Sequence, residues 1–336
     1  MSELKKALFW KKEKENKVKC NACNRNCLIL EGRVGVCRVR KNIKGELFSL
    51  VYGRTLTLEV DPIEKKPLFH FKPGTSCLGV STYGCNFSCL HCQNYHISQQ
   101  FTEEMIERIP FISPEEIVEK TLEEGVPGIA YTYTEPTIFI EYALDTMKLA
   151  RKKGLYNVFV SNGYMSEELL QEIKPFLDAI NVDLKGNKEF YKEICGGIKE
   201  EKVRETIEWL HKNKIHLEVT NLIIPGYNDK EEDFREVASF LLDLSPAIPL
   251  HFSRFYPLNK LDYLPPTPTE KLFKAKETAE ETGMKYVYIG NIGEGEDTHC
   301  PECRNILVKR IAYSTDLVGV KDKKCSKCGQ KTELIL

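Results

Sequence analysis

Short β-like runs alternate with amphipathic helical stretches between residues 77 and 291. The run "CLGVST" opens the series and "KYVYIGN" closes it, and Ser113 and Pro114 mark a helix start as N-cap and first helical residue. Right-handed crossovers curl about six or seven such β/α units into a parallel barrel or most of one. We therefore predict an α/β fold with a partial (β/α)6 TIM-type barrel over residues 73–291.

A doubly wound open sheet is the alternative fold for this alternation. In barrels, functional groups collect in the loops at the C-terminal ends of the strands, and the unusual residues of this chain occupy such loops repeatedly. This placement favours the barrel. The flanking segments 1–72 and 292–336 each carry four cysteines, which predicts two small metal-binding attachments.

The charge balance gives no reason to expect nucleic acid or an anionic membrane as the main partner. The chain has 48 basic and 49 acidic residues, a net charge of −1. A local basic patch would still allow nucleic acid to bind. No hydrophobic run reaches the length of a membrane span, and the N-terminus is charged rather than signal-like. We expect a cytoplasmic protein with no membrane partner.

The 13 cysteines indicate metal binding rather than disulfides in a reducing compartment. Two of them, Cys77 and Cys195, stand alone and are expected to be small buried hydrophobes. The others form an N-terminal group (Cys20, Cys23, Cys27, Cys37), a central group (Cys85, Cys89, Cys92) and a C-terminal group (Cys300, Cys303, Cys325, Cys328).

The central group has a C-x3-C-x2-C spacing and directly follows the first predicted strand. A structural zinc ion and an ordinary iron–sulfur cluster each take four protein ligands. Three thiols therefore indicate a metal centre with an open position, such as a [4Fe–4S] cluster whose fourth iron binds a non-protein ligand. The alternative is a zinc site completed by His91 or His96.

The segments "GCNFSCLHCQNYHISQ", "YTYTEPTIF", "VFVSNGY", "NVDLKG", "VTNLIIPGYND" and "HFSRFYP" resemble the radical SAM enzymes. Within that superfamily they resemble the branch of pyruvate formate-lyase activating enzyme and, most closely, the AmmeMemoRadiSam-system proteins. The resemblance implies that the central group holds a [4Fe–4S] cluster at which S-adenosylmethionine is cleaved to methionine and a 5′-deoxyadenosyl radical. It also implies an electron donor such as ferredoxin or flavodoxin, with Memo-type and AMMECR-type proteins as candidate partners.

The resemblance assigns Glu135 to the methionine amino group of S-adenosylmethionine, through a charge-assisted hydrogen bond. The alternative role for Glu135 is that of an acid stabilised at a helix N-terminus. Asn162, with Ser161, is expected to bond the ribose or the methionine, although an Asn-Gly turn explains the same letters.

Asp183 and Lys185 alternate along one predicted strand and so share the barrel interior. Charges inside a barrel are costly unless they are paired or bind a ligand. The resemblance places both at the carboxylate end of S-adenosylmethionine, and a mutual salt bridge is the alternative.

Three further assignments concern the last strands of the barrel. The resemblance gives the backbone groups of Ile223 and Ile224 to adenine, although their segment also reads as a buried strand ending in a turn. It places His251 near the adenosine. Arg254 is a candidate for binding a substrate anion.

The terminal cysteine groups differ in pattern. The C-terminal group has two C-x2-C pairs separated by 21 residues, slightly more than the usual zinc-ribbon spacing, and we expect it to hold a structural zinc ion. The N-terminal group, C-x2-C-x3-C-x9-C, does not form two such pairs, and zinc and a second iron–sulfur cluster both remain open.

We thus predict an activating-enzyme-like oxidoreductase whose substrate stays open: a protein backbone, as in glycyl-radical activases, a small molecule or an RNA base. The alternative is a non-catalytic iron–sulfur or zinc scaffold, or an electron carrier, on a barrel fold.

Overall fold

The computed structural model describes residues 4–292 and 296–336. Its N-terminal part forms two small antiparallel sheets of three strands each, ordered β1-β6-β5 and β2-β3-β4. These strands are β1 (Lys5–Lys6), β2 (Trp10–Lys12), β3 (Val18–Cys20), β4 (Leu28–Ile29), β5 (Arg40–Ile43) and β6 (Glu46–Ser49).

An eight-stranded sheet forms the centre of the molecule. Its strands are β7 (Thr57–Pro62), β8 (Ser76–Ser81), β9 (Gly128–Tyr131), β10 (Tyr156–Ser161), β11 (Ala179–Asp183), β12 (His216–Ile223), β13 (Leu250–Arg254) and β14 (Val287–Gly290).

The strands of this sheet lie side by side in chain order. Strands β8 to β14 are all parallel, and β7 pairs antiparallel with β8 at one edge. Sequential parallel strands with right-handed crossovers carry their helices on one face and curve around the other. This order confirms the predicted α/β class and partial barrel. The edge strand β7 lies within the 1–72 segment that the sequence assigned to the N-terminal attachment.

Helices connect the parallel strands, and local signals set several of their ends. The Ser113 hydroxyl accepts a hydrogen bond from the Glu116 backbone N–H, and the Glu116 carboxylate accepts one from the Ser113 N–H, which confirms the predicted cap. The helices are α1 (Tyr95–Ser98), α2 (Glu103–Glu107), α3 (Pro114–Glu123), α4 (Ile140–Lys152), α5 (Glu167–Ile173), α6 (Lys188–Glu193), α7 (Glu200–Lys212), α8 (Glu231–Leu244) and α9 (Thr269–Thr282), with 3₁₀ helices at Ile63–Lys65, Pro136–Phe139 and Asn259–Leu261.

The segment between β7 and β8 packs against the concave face of the sheet. The Glu218 carboxylate on β12 accepts hydrogen bonds from the backbone N–H groups of Phe69 and His70, at 3.0 and 2.7 Å. Asn181 on β11 donates to the Pro67 carbonyl oxygen at 2.8 Å. These bonds hold residues 67–70 against the inner face of the curved sheet.

A buried ion pair joins the N-terminal sheets to the barrel. Arg40 on β5 and Glu141 on α4 are 2.9 Å apart, and their side chains are 2% and 0% exposed. The same carboxylate accepts the Leu8 N–H at 2.7 Å. Because neither charge reaches solvent, each depends on the other for compensation.

The C-terminal part contains short strands around the last four cysteines. The Arg310 side chain extends from this part to the segment between β7 and β8, where it donates to the Phe69 carbonyl oxygen at 2.7 Å. None of the helices within residues 4–292 and 296–336 has the length and apolar character that a membrane crossing requires. The strands are β15 (Thr298–His299), β16 (Ile306–Ile311), β17 (Ser314–Asp316), β18 (Val320–Lys321) and β19 (Lys324–Cys325).

Candidate active site in the barrel cleft

One large cleft opens at the C-terminal ends of the parallel strands. Its volume is about 670 Å³, and residues 64–67 and Phe69 contribute to its lining. Every parallel strand or the loop after it supplies a lining residue. The residues singled out from the sequence that meet there are Cys85, Cys89, Cys92, Glu135, Ser161, Asn162, Asp183, Lys185 and His251.

The central cysteine group lies in the loop after β8, and Gly84 shapes the start of this loop. Gly84 has a φ of +100°, and a β-carbon there would lie 2.8 Å from the Cys37 carbonyl oxygen. The Phe87 N–H donates to the Cys85 sulfur at 3.4 Å, and the Ser98 hydroxyl lies 3.3 Å from the Cys92 sulfur. Such donors stabilise thiolates and orient metal ligands.

Cys195 lies beside this group, a contact that the sequence did not indicate. Its side chain is fully buried, as expected for a lone cysteine. A hydrogen bond with Cys195 lowers the pKa of the Cys89 thiol, which outweighs the opposing effect of burial. Burial raises the pKa of the Cys85 thiol well above its usual value, and the nearby Glu135 carboxylate adds to this rise.

The spacing of the sulfurs separates two kinds of metal site. Tetrahedral zinc with Zn–S bonds of about 2.3 Å holds its sulfurs about 3.8 Å apart. Among residues 4–292 and 296–336, only the C-terminal group brings three or more candidate ligand atoms within 4.8 Å of one another.

The central group therefore lacks the compact arrangement of a mononuclear zinc site, with or without His91 or His96. A [4Fe–4S] cluster fits its wider spacing, because each thiol then binds a different iron. His91 is buried, and burial lowers its pKa to about 3, so it is neutral at physiological pH.

Glu135 is held rigidly at the cleft. One carboxylate oxygen accepts hydrogen bonds from the Ser161 hydroxyl at 2.8 Å and the Thr137 N–H at 3.1 Å, and the other accepts the Asn162 N–H at 2.8 Å. Glu135 is also the N-cap of the 3₁₀ helix Pro136–Phe139. Burial raises its pKa despite these bonds. The structure thus places it both at a helix start and in the cleft.

Asn162 bonds to the cysteine loop. Its side-chain nitrogen donates to the Asn86 side-chain oxygen at 2.7 Å and lies 3.8 Å from the Cys85 sulfur. Its side-chain oxygen accepts the Tyr164 N–H at 3.1 Å. Asn86, which the sequence analysis did not single out, therefore joins the third parallel strand to the central group.

Asp183 and Lys185 form an ion pair at the end of β11. The Lys185 ammonium donates to the Asp183 carboxylate at 2.8 Å, and both residues line the cleft. Burial alone would lower the pKa of Lys185, but Asp183 and the nearby thiols raise it well above its usual value. The mutual salt bridge is present, and it also presents a cation to the cleft.

His251 is fixed by Glu218, a residue missed in the sequence. The His251 Nε2 atom lies 2.7 Å from one Glu218 oxygen, and the His216 Nε2 atom lies 3.0 Å from the other. Burial would raise the pKa of Glu218, but the hydrogen bonds from His216 and His251 hold it well below the ordinary value. His251 stacks on Tyr288 with ring centroids 5.1 Å apart.

Ile223, Ile224 and Arg254 are not among the residues that line the cleft. The Ile223 carbonyl oxygen accepts the Thr267 hydroxyl at 2.6 Å, and the Ile224 N–H donates to Asn228 at 2.7 Å. Arg254 donates to the Thr267 carbonyl oxygen at 2.8 Å. These groups already have protein partners, and their predicted contacts with adenine and a substrate anion stay predictions.

The two terminal cysteine groups lie outside the cleft. In the C-terminal group, the sulfurs of Cys300 and Cys328 are 3.6 Å apart and those of Cys303 and Cys325 are 3.7 Å apart. The Cys328 N–H lowers the pKa of the Cys325 thiol, whereas hydrogen bonds with the neighbouring thiols raise the pKa of Cys328. The thiols of this group thus interact directly with one another.

Comparisons with known proteins identify the family of this chain. The family model of the Radical SAM superfamily matches residues 80–241. The uncharacterized protein MJ0808 of Methanocaldococcus jannaschii is 46% identical, and the alignment covers 99% of this chain and 100% of that protein. A second Methanocaldococcus jannaschii protein, MJ1632, named as a candidate glycyl-radical enzyme activating enzyme, is 26% identical over 61% of this chain and 76% of its own length.

A solved structure shows the same fold. Streptococcus suis SuiB bound to S-adenosylmethionine superposes with a TM-score of 0.50 at 9% identity, over 68% of this chain and 52% of SuiB. With the family match and the cysteine-lined cleft, the conclusion is that this chain belongs to the radical SAM superfamily.

Proposed function

We propose that this chain binds a [4Fe–4S] cluster through Cys85, Cys89 and Cys92 and reductively cleaves S-adenosylmethionine to methionine and a 5′-deoxyadenosyl radical, which abstracts hydrogen from a substrate. When bound, the cluster supplies the single electron that breaks the carbon–sulfur bond. One observation carries the proposal: three thiols without a compact fourth ligand share a cleft with an ordered, buried carboxylate at Glu135.

The cleft offers groups that match both charged ends of the methionine moiety. The Glu135 carboxylate would accept the ammonium group, and its bonds to Ser161 and Asn162 fix its orientation in advance. Lys185 would meet the carboxylate, with Asp183 keeping its ammonium protonated and aligned. Opposite charges in these places orient the sulfonium relative to the cysteine loop.

His251 would lie near the adenosine, since it lines the cleft on β13 and is held by Glu218. Asn162 would orient the cysteine loop through its hydrogen bond with Asn86. Together with Ser161, it would also contact the ribose. The backbone of Ile223 and Ile224 remains the proposed adenine contact, and Arg254 the proposed contact to a substrate anion.

The cleft has the size of a small-molecule site. Its volume of about 670 Å³ lies within the range of about 300–1,000 Å³ that such pockets occupy. The name of MJ1632 supports a protein backbone as in glycyl-radical activation, and a small molecule or an RNA base are the other substrate classes.

We further propose an AmmeMemoRadiSam-system enzyme that takes electrons from a ferredoxin or flavodoxin in the cytoplasm, with Memo-type and AMMECR-type proteins as partners. The C-terminal group would hold a structural zinc ion, which its compact set of four sulfurs fits. In domain terms, residues 73–291 would form the catalytic barrel, to whose sheet β7 (Thr57–Pro62) adds an edge strand, and the rest of 1–72 together with 292–336 would form the metal-binding attachments.

Anaerobic reconstitution with iron and sulfide, followed by reductant and S-adenosylmethionine, tests the proposed reaction. The wild type is expected to form 5′-deoxyadenosine, and Cys89→Ala is expected to form none. Cys77→Ala is the matched control, because Cys77 is buried in the core away from the cleft and should leave product formation intact. Absence of product from the wild type, or equal product from Cys89→Ala, would favour the electron-carrier or scaffold alternative.

A further inference from the structure

The N-terminal cysteine group gathers around one pocket of its own. Its four members come from the end of β3 and from the loops that flank β4, and all four line this pocket. The other polar residues of the lining are Arg25, Arg40, Asn86 and Thr137. The sequence left zinc and a second iron–sulfur cluster equally open for these cysteines.

The spacing of the four sulfurs distinguishes the two metals. Although the four cysteines share a pocket, no three of their sulfurs lie within 4.8 Å of one another, unlike those of the C-terminal group. Zinc would hold them about 3.8 Å apart. Like the central group, the N-terminal group lacks the compact ligand set of a single-ion site, which fits a cluster in which each thiol binds a different iron.

Two buried donors indicate that the pocket holds a metal–thiolate group. The Arg40 Nε atom and the Asn86 Nδ2 atom are buried without any hydrogen-bond acceptor. A buried donor without a partner costs about 1–3 kcal/mol. The thiolate ligands of zinc or of a cluster would accept such donors, and a cluster adds inorganic sulfides as further acceptors.

The pocket adjoins the central cysteine group. Asn86 lines the pocket and also accepts the hydrogen bond from Asn162 at 2.7 Å. Gly84, which precedes Cys85, packs against the Cys37 carbonyl oxygen so closely that a side chain would clash. The N-terminal and central cysteine groups are therefore neighbours, connected through Gly84 and Asn86.

We propose that Cys20, Cys23, Cys27 and Cys37 bind a second [4Fe–4S] cluster, adjacent to the first. The test removes the central group from the full-length chain with Cys85→Ala, Cys89→Ala and Cys92→Ala. Anaerobically purified and reconstituted, this triple variant is expected to retain about four irons and about four acid-labile sulfides per chain, with about one zinc.

Adding Cys23→Ala and Cys37→Ala to the triple variant is expected to remove the iron and sulfide but leave the zinc. Adding Cys77→Ala instead is the matched control and should change none of the three. About two zinc ions per chain without labile sulfide would overturn the proposal, as would iron that persists after Cys23 and Cys37 are replaced. Retained zinc reports that the C-terminal part has folded.

A second comparison covers the case in which the triple variant does not fold. In the chain with an intact central group, Cys23→Ala with Cys37→Ala is expected to lower iron from about eight to about four per chain. An unchanged iron content would overturn the proposal. These readouts measure metal rather than product, so they are independent of whether S-adenosylmethionine is cleaved.

Discussion

The buried pair between Arg40 and Glu141 predicts a large loss of stability in Glu141→Gln. The two side chains are 2% and 0% exposed and 2.9 Å apart, so the substitution leaves the buried Arg40 charge without the carboxylate that pairs with it. Removing one partner of a buried pair costs about 3–5 kcal/mol of unfolding free energy. The Gln side chain can still accept the Leu8 N–H, so this cost reports the charge.

The matched control is Glu172→Gln. Glu172 pairs with Lys148 at 3.6 Å, and their side chains are 49% and 40% exposed, so its loss should cost less than about 1 kcal/mol. Urea unfolding followed by tryptophan emission measures both variants. The chain has two tryptophans, and a Trp209→Phe background leaves Trp10 to report on the N-terminal sheets. Equal costs for Glu141→Gln and Glu172→Gln would refute the docking of those sheets through this pair.

Three further predictions concern the cleft and the C-terminal group. Glu135→Gln should weaken S-adenosylmethionine binding by roughly 10- to 150-fold, the loss of one charge-assisted hydrogen bond; equilibrium binding to reconstituted protein measures it, with the exposed Glu116→Gln as control. Glu218 has a pKa held below its ordinary 4.5, so its stabilisation is complete above that pH and is lost as the pH falls through the lowered value. The difference in unfolding free energy between wild type and Glu218→Gln should therefore shrink below pH 4.5, and a constant difference would contradict this. Cys303→Ala should lose about one zinc per chain and speed hydrogen exchange in residues 296–336 but not in the barrel; retained zinc would exclude the proposed site.

The fold could be predicted because its signals are local. The cap at Ser113, the period of each helix and the short apolar strands are written within single segments, and sequential strands with right-handed crossovers leave few arrangements. The edge strand Thr57–Pro62 was assigned to the N-terminal attachment instead. Nothing within that segment distinguishes the edge of the large sheet from a strand of a small one.

The candidate site could be predicted only in part. Cysteine spacing and strand-end position indicated many of the residues that line the cleft, because both can be recognised within a short segment of sequence. The contact of Cys195 with Cys89 depends on two loops that only the folded barrel brings together. Glu218 offered one signal, an acid within an otherwise buried strand, which requires a partner such as His251.

The central claim is that S-adenosylmethionine binds the iron that Cys85, Cys89 and Cys92 leave open. Electron paramagnetic resonance tests this claim most directly. The measurement uses the reduced Cys23→Ala/Cys37→Ala variant, in which only the central group is proposed to hold a cluster. Adding S-adenosylmethionine is predicted to change the cluster spectrum, because three cysteines leave one iron open to the added molecule. A spectrum that stays the same at saturating S-adenosylmethionine would contradict the account.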